Sequence, residues 1–187
     1  MNSFIKIVIV LLIILVLFHY KKFRDYTDKY EIEQQELEYI AGNEIYNTLN
    51  PLVITFIEKH SLKFNVEEYK LFSSITINKN FNNLITNNNY LQHTNELLLL
   101  RSKSDITVEL INPKYIEYFN KMDKQSLNNY ELEEKNYKNV KSIDLVLREY
   151  NIVYIPRFWL FKFDTSDISI EMFTCNNIFT FCFNILY

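Results

Sequence analysis

Three histidines, two cysteines and scattered carboxylates are the side chains of this 187-residue sequence that bear on metal or acid–base chemistry. A mononuclear iron site of the facial-triad type needs imidazole and carboxylate groups on one face, with positions left open for oxygen and substrate. No histidine begins such a set. His60 is followed by Ser61 and Leu62, His93 by Thr94 and Asn95, and His19 lies in an apolar run. His60 and His93 read as loop or surface residues. Glu131, Glu133 and Glu134 form a carboxylate cluster, but acid–base pairs are made in space and a solvated loop is the expected setting. Arg148 beside Glu149, and Arg157 near Trp159, offer positive charge to an anion, with surface positions at strand ends the simpler reading. Cys175 and Cys182 lack the spacing of a zinc site or redox pair and read as buried thiols on an apolar strand. Neither a G-x-S-x-G elbow nor an H-E-x-x-H helix is present. The expectation is no catalytic, cofactor-binding or metal-ligating residue, and no cofactor.

Composition narrows the classes further. Hydrophobic residues make up 48% of the chain, enough for a packed core. The net charge of −3 and the absence of a basic block beyond Lys21–Lys22 leave no face to displace counterions from phosphates, so no nucleic-acid partner is expected. The single glycine, Gly42, excludes the Gly-rich loops that let backbone N–H groups close on a phosphate.

The elements that would position any site begin with FIKIVIVLLIILVLFHY (4–20), in which Lys6 is the one charge. At ~1.5 Å per residue the run spans about 25 Å, workable for a ~30 Å hydrocarbon core if Lys6 snorkels. It is followed by KKFRD with no small-residue cleavage pattern, which favours a retained anchor over a signal peptide. The lipid bilayer is therefore the expected partner, through residues 4–20. Lys21, Lys22 and Arg24 follow the run and only Lys6 and the terminal amine precede it, which places the C-terminal part in the cytosol. The absence of any N-x-[ST] acceptor agrees.

Residues 25–50 carry Ile32, Leu37, Ile40, Ala41 and Ile45 at helical spacing, with Asp28 and Glu31 placed as a capping box, and predict an amphipathic helical stalk. Pro51 opens a different period. PLVITFIE (51–58) and KLFSSITIN (70–78) read as strands, and the Asn-rich 78–95 reads mostly as loop. ELLLLR (96–101), SKS and DITVELI (105–111) read as a hairpin, and NPKYIEYFN (112–120) as a turn and short helix. The charged stretch 121–139 reads as irregular. Further strands follow at 140–149, 151–156, 157–163, 167–175 and 178–187, the pattern of an antiparallel sandwich or barrel.

The order of segments resembles the cupin-like, jumonji-type double-stranded β-helix family. VELINPKYIEYF (108–119) stands where members carry L-F-x-P-x-x-x-x-Y, and LREYNIVYIPRFWLF (147–161) matches L-x-E-G-D-x-L-F-I-P-x-x-W-W-H at Leu147, Glu149, Ile155, Pro156 and Trp159. DISIEMF (167–173) resembles the closing strand. The resemblance implies a mainly β jelly-roll over 51–187, after a transmembrane anchor at 1–24 and the stalk at 25–50. It also implies an Fe(II) and 2-oxoglutarate site, whose distal histidine position here holds Phe161, or Lys162 if shifted by one. The expectation is thus a disabled relative, a membrane-anchored structural or interaction module similar to hypothetical proteins of large DNA viruses. Two alternatives stand beside it: a hydroxylase relative with non-standard ligands, and an unrelated β-sandwich binding module.

Overall fold

The apolar N-terminal run closes its own backbone hydrogen bonds as helix α1 (Ser3–Arg24) in the computed structural model, which describes residues 3–29, 31–36, 48–55, 73–78, 89–95, 97–124, 127–149, 151–163 and 170–186. Residues 4–18 of α1 are exposed on all sides and touch no core. α1 is long and apolar enough to cross a membrane and is the one such helix among the described residues. The lipid partner expected at 4–20 therefore has its element, as a single N-terminal candidate span.

Twelve strands follow among the described residues: β1 (Glu33–Glu36), β2 (Leu52–Thr55), β3 (Ser73–Asn78), β4 (Tyr90–Gln92), β5 (Leu97–Ser102), β6 (Ile106–Ile111), β7 (Phe119–Lys124), β8 (Asn128–Leu132), β9 (Ser142–Leu147), β10 (Ile152–Tyr154), β11 (Leu160–Phe163) and β12 (Ile170–Asn177). A short 3-10 helix (Pro113–Tyr118) precedes β7, and helix α2 (Ile178–Leu186) follows β12. One sheet has the order β1-β2-β10-β5-β12-β3 and the other β7-β8-β4-β11-β6-β9. All their pairings are antiparallel except β1 with β2, where Glu33 lies opposite Leu52.

The two sheets share one apolar core. Leu98 and Leu100 of β5 and Val153 of β10 meet Val108 and Leu110 of β6 and Phe161 of β11 there, with Trp159 fully buried among them. β6 shows why its sheet has one wet face: Ile106, Val108 and Leu110 are buried, while Thr107 and Glu109 alternate outward. By contrast, Leu97 to Leu100 are all within 1% of full burial, as a central strand covered on both faces requires.

These observations correct the expected fold. Among the described residues both sheets end in open edges, β1 and β3 in one, β7 and β9 in the other, so these strands close no barrel and their order is not that of a jelly roll or double-stranded β-helix. The cupin-like and jumonji-like reading, and with it the disabled module and the hydroxylase relative, falls on that topology. The phrase that suggested it is a local device. Pro156 and Trp159 turn the chain from β10 in one sheet to β11 in the other, and any two-layer β fold making that crossing can use the same residues.

Three smaller corrections follow from pairing. The expected amphipathic helix over 25–50 is not formed at Glu33–Glu36, which joins β2 as an added strand; residues 37–47 lie outside the described residues. Glu33 gains there what a lone helix lacks. Its N–H donates to the Pro51 carbonyl at 2.9 Å, and its carboxylate accepts from Asn50 Nδ2 at 3.1 Å. The expected hairpin of β5 and β6 is a corner, since the two strands belong to different sheets. Finally, 178–186 is helical, so Cys182 is an exposed thiol on a helix and not a buried one on a strand.

Candidate functional site

The turn that misled the sequence reading is where the fold meets the base of α1. Ile155 continues β10 by donating its N–H to the Leu98 carbonyl at 3.0 Å, Pro156 fixes the next dihedral, and the chain reverses through Arg157 and Phe158. Phe158 has φ 68°, and it is the one non-glycine residue with positive φ among the described residues. That conformation costs a bulky side chain roughly 1–2 kcal/mol, so its neighbours must enforce it. The end of β4 does so. Phe158 N–H donates to the His93 carbonyl at 3.1 Å, and Gln92 Nε2 donates to the Phe158 carbonyl at 2.8 Å. Tyr130 of β8 in turn donates its hydroxyl to Gln92 Oε1 at 3.1 Å, fixing the amide's orientation.

His93 adds a third clamp. It is fully buried, with Nε2 2.8 Å from the Ile155 carbonyl and 3.1 Å from the Pro156 carbonyl. Both neighbours can only accept, so Nε2 carries the proton. Nδ1 is buried and makes no hydrogen bond among the described residues. Burial pushes this imidazole down to about 4, and the Arg157 charge pushes in the same direction against the pull of the carbonyls. His93 is thus a neutral structural donor near pH 7: it lies in the loop after β4, but fully buried and not at the surface. His60 lies outside the described residues.

Held in this way, the turn presents Arg157 and Phe158 to α1. Arg157 Nη1 donates to the Phe23 carbonyl at 2.9 Å, Nε donates to the Asn95 carbonyl at 3.3 Å, and the guanidinium lies 4.5 Å from the Phe23 ring centre. A cation there meets the negative end of the helix and one of its orphan carbonyls. The Phe158 ring sits edge-on to Phe23, with centroids 5.5 Å apart and planes at 89°. Phe183 of α2 completes the cluster at 5.4 Å from Phe23, leaving Phe23 only 2% exposed. Each aromatic pair of this kind contributes about 0.5–1.5 kcal/mol beyond the area it buries.

The chain leaving α1 is also tied down. Fully buried Asn112, at the end of β6, donates from Nδ2 to the Thr27 carbonyl at 2.8 Å and the Lys29 carbonyl at 3.1 Å. Its Oδ1 accepts from Lys114 N at 3.0 Å and so caps the 3-10 helix. The anchor and its exit are therefore gripped at two places, by the turn that crosses from β10 to β11 and by the loop after β6.

The remaining sequence candidates do not converge. Phe161 points into the shared core, and Lys162 points away from it, 5.4 Å from the Tyr90 ring centre. On that outer face Lys162, Glu109 and Asp144 lie side by side on β11, β6 and β9 and line an open groove of about 180 Å³ with Thr107 and Phe163. Tyr90 donates to Glu109 Oε2 at 3.0 Å, and burial, with that carboxylate adding to it, pushes the phenol above its ordinary range. It stays protonated and orients Glu109. Glu131 and Glu134 are exposed, while Glu133 accepts from Asn120 and Lys135, whose hydrogen bonds hold its carboxyl below the usual range, Lys135 first. Arg148 and Glu149 are exposed at the turn after β9. Among the described residues no three His, Cys, Asp or Glu side chains group as metal ligands.

No protein-family model matches the chain, and no curated protein is similar to it in sequence.

Proposed function

We propose that the chain is a single-pass membrane protein that holds its two-sheet β fold on the cytosolic face of a bilayer as a fixed platform and works without catalysis. The observation that carries this reading is the packing of Phe23. A tether meant only to retain a domain needs no defined joint, whereas here the last turn of α1 is buried against Phe158, Phe183 and Arg157. Three buried polar side chains serve the same joint: Gln92 and His93 hold the turn, and Asn112 holds the exit. Orientation is supported by Lys21, Lys22 and Arg24 in the last turn of α1, against Lys6 near its start.

Protease protection of sealed vesicles carrying the full chain tests the orientation. Trypsin added to the cytosolic face should remove the β fold, and digestion only from the luminal face would reverse the reading. The non-catalytic part is tested at the polar groove. A chain with Glu109→Gln, Asp144→Asn and Lys162→Met should restore whatever cellular trait is lost on deleting the gene. Failure to restore it, with unchanged stability, would make that groove a working site.

A further inference from the structure

Helix α2 packs at the base of the candidate span, against the last turns of α1. His19 stacks on Phe179 with ring centres 4.1 Å apart and planes at 8°, and Tyr20 and Phe23 meet Phe183 at 5.4 Å each.

The two sides of α2 differ in what they touch. Phe179, Thr180 and Phe183 fall on one arc of the helix and face inward, with Thr180 and Phe183 buried. Cys182 and Ile185, three apart, share the opposite arc and are exposed, Ile185 by 70%. A surface helix in water carries charges on its free side. The sequence Ile178–Leu186 contains no charged residue at all, and its polar side chains are Thr180 and Asn184. A nine-residue helix is also too short to persist on propensity alone, so it takes its stability from what covers it.

We infer that α2 is a second bilayer contact, lying in the interfacial zone of the same leaflet as the base of α1, with Cys182 and Ile185 toward the lipid. The occupant of its free side is lipid, because α2 packs through Phe179 and Phe183 directly on the base of the exposed apolar span of α1. Lys21, Lys22 and Arg24 at the same level would then meet headgroup phosphates. Together α1 and α2 fix the tilt of the β fold over the membrane, which a single span does not do. This inference rests on the reading of α1 as the membrane span.

The test places an environment-sensitive fluorophore on Cys182 in full-length Cys175→Ser chain, reconstituted in phosphatidylcholine vesicles with one-fifth phosphatidylserine. Matching probes sit at Leu11→Cys in the span and Val146→Cys on β9, both with Cys175 and Cys182 replaced by Ser. Val146 is exposed and serves as the aqueous reference. The Cys182 probe should be quenched by lipids spin-labelled near the headgroup and be at least fivefold less sensitive to iodide than the Val146 probe. A Cys182 probe as open to iodide as the Val146 probe, with Leu11 quenched by lipid, would overturn the role of α2 and leave the span intact. A Leu11 probe open to iodide would remove the span and the inference together. Carbene photolabelling of the unmodified chain from within the same vesicles needs no substitution. It should mark peptides from both 4–20 and 178–186, and label confined to 4–20 would overturn the inference.

Discussion

Arg157 reaches back 134 positions in the chain to Phe23, donating Nη1 to its carbonyl at 2.9 Å while its guanidinium lies 4.5 Å from the centre of that residue's ring. One side chain therefore satisfies an orphan carbonyl at the end of α1, opposes the helix dipole and covers an aromatic face. Hydrogen bonds from a charged donor contribute about 1.5–3 kcal/mol each. Arg157→Ala should accordingly open the joint, raising tryptic cleavage after Arg24 and Lys29 by roughly tenfold or more, since ~1.4 kcal/mol is a factor of ten. Arg157→Lys should restore only part of the protection, because an ammonium lacks the planar fork that serves Phe23 and Asn95 together. Unchanged cleavage in both variants would show that the contact does not hold the anchor.

Phe158 gives a test that reads backbone strain. At ordinary positions glycine is less stable than alanine by about 0.5–1 kcal/mol. At φ 68° the order should reverse. Phe158→Gly should be more stable than Phe158→Ala by about 1 kcal/mol, with both below the parent because each loses the packing on Phe23. Chemical denaturation of the full chain in detergent micelles, followed through Trp159 fluorescence, measures this. Alanine equal to or better than glycine would deny the strained turn.

His93 makes stability depend on pH with a defined sign. Its folded value is lowered to about 4 from the ordinary 6.5, so the unfolded chain binds more protons between those values. The stability that neutral His93 contributes is complete above pH 6.5 and is lost as pH falls toward 4. At 1.36 kcal/mol per unit this is on the order of 3 kcal/mol. His93→Gln keeps an N–H for the Ile155 and Pro156 carbonyls but does not titrate there. The stability difference between parent and variant should shrink as pH falls through this window. A difference constant from pH 7 to 4 would mean that His93 is not a buried neutral donor.

The parts of this arrangement that can be read from sequence are those set by local pattern. The uninterrupted apolar run at 4–20 forms its helix because no neighbour is needed to satisfy it. β6 and β11 are legible from their β-rich composition and length, but pairing is not. β5 and β6 look like a hairpin around SKS, and only the burial of Leu97 and Leu99 on the far face shows that β5 is the centre of another sheet. β8 and most of β7 lie within the charged stretch 121–139 that reads as irregular, and β7 begins at Phe119 in the segment that reads as a turn and short helix.

The junction was less legible still. Ile-Pro-x-x-Trp marks a turn wherever it occurs, and its partners Phe23, Gln92 and His93 are distant in sequence. A lone histidine in an Asn-rich stretch carries no mark of burial beyond its apolar neighbour Leu91. α2 did leave a trace, since Phe179 and Phe183 stand four apart as one helix face requires. That spacing was masked by the aromatic and β-branched composition, which favours strands.

Alkaline carbonate extraction of membranes carrying the full chain, beside the fragment released by trypsin after Arg24, tests the anchoring of the fold most directly. Carbonate strips peripheral proteins and leaves membrane-spanning ones. The full chain should stay entirely with the lipid pellet, and the released β fold should move to the supernatant. A full chain that washes free would contradict a membrane span in α1, and with it the platform held at Phe23.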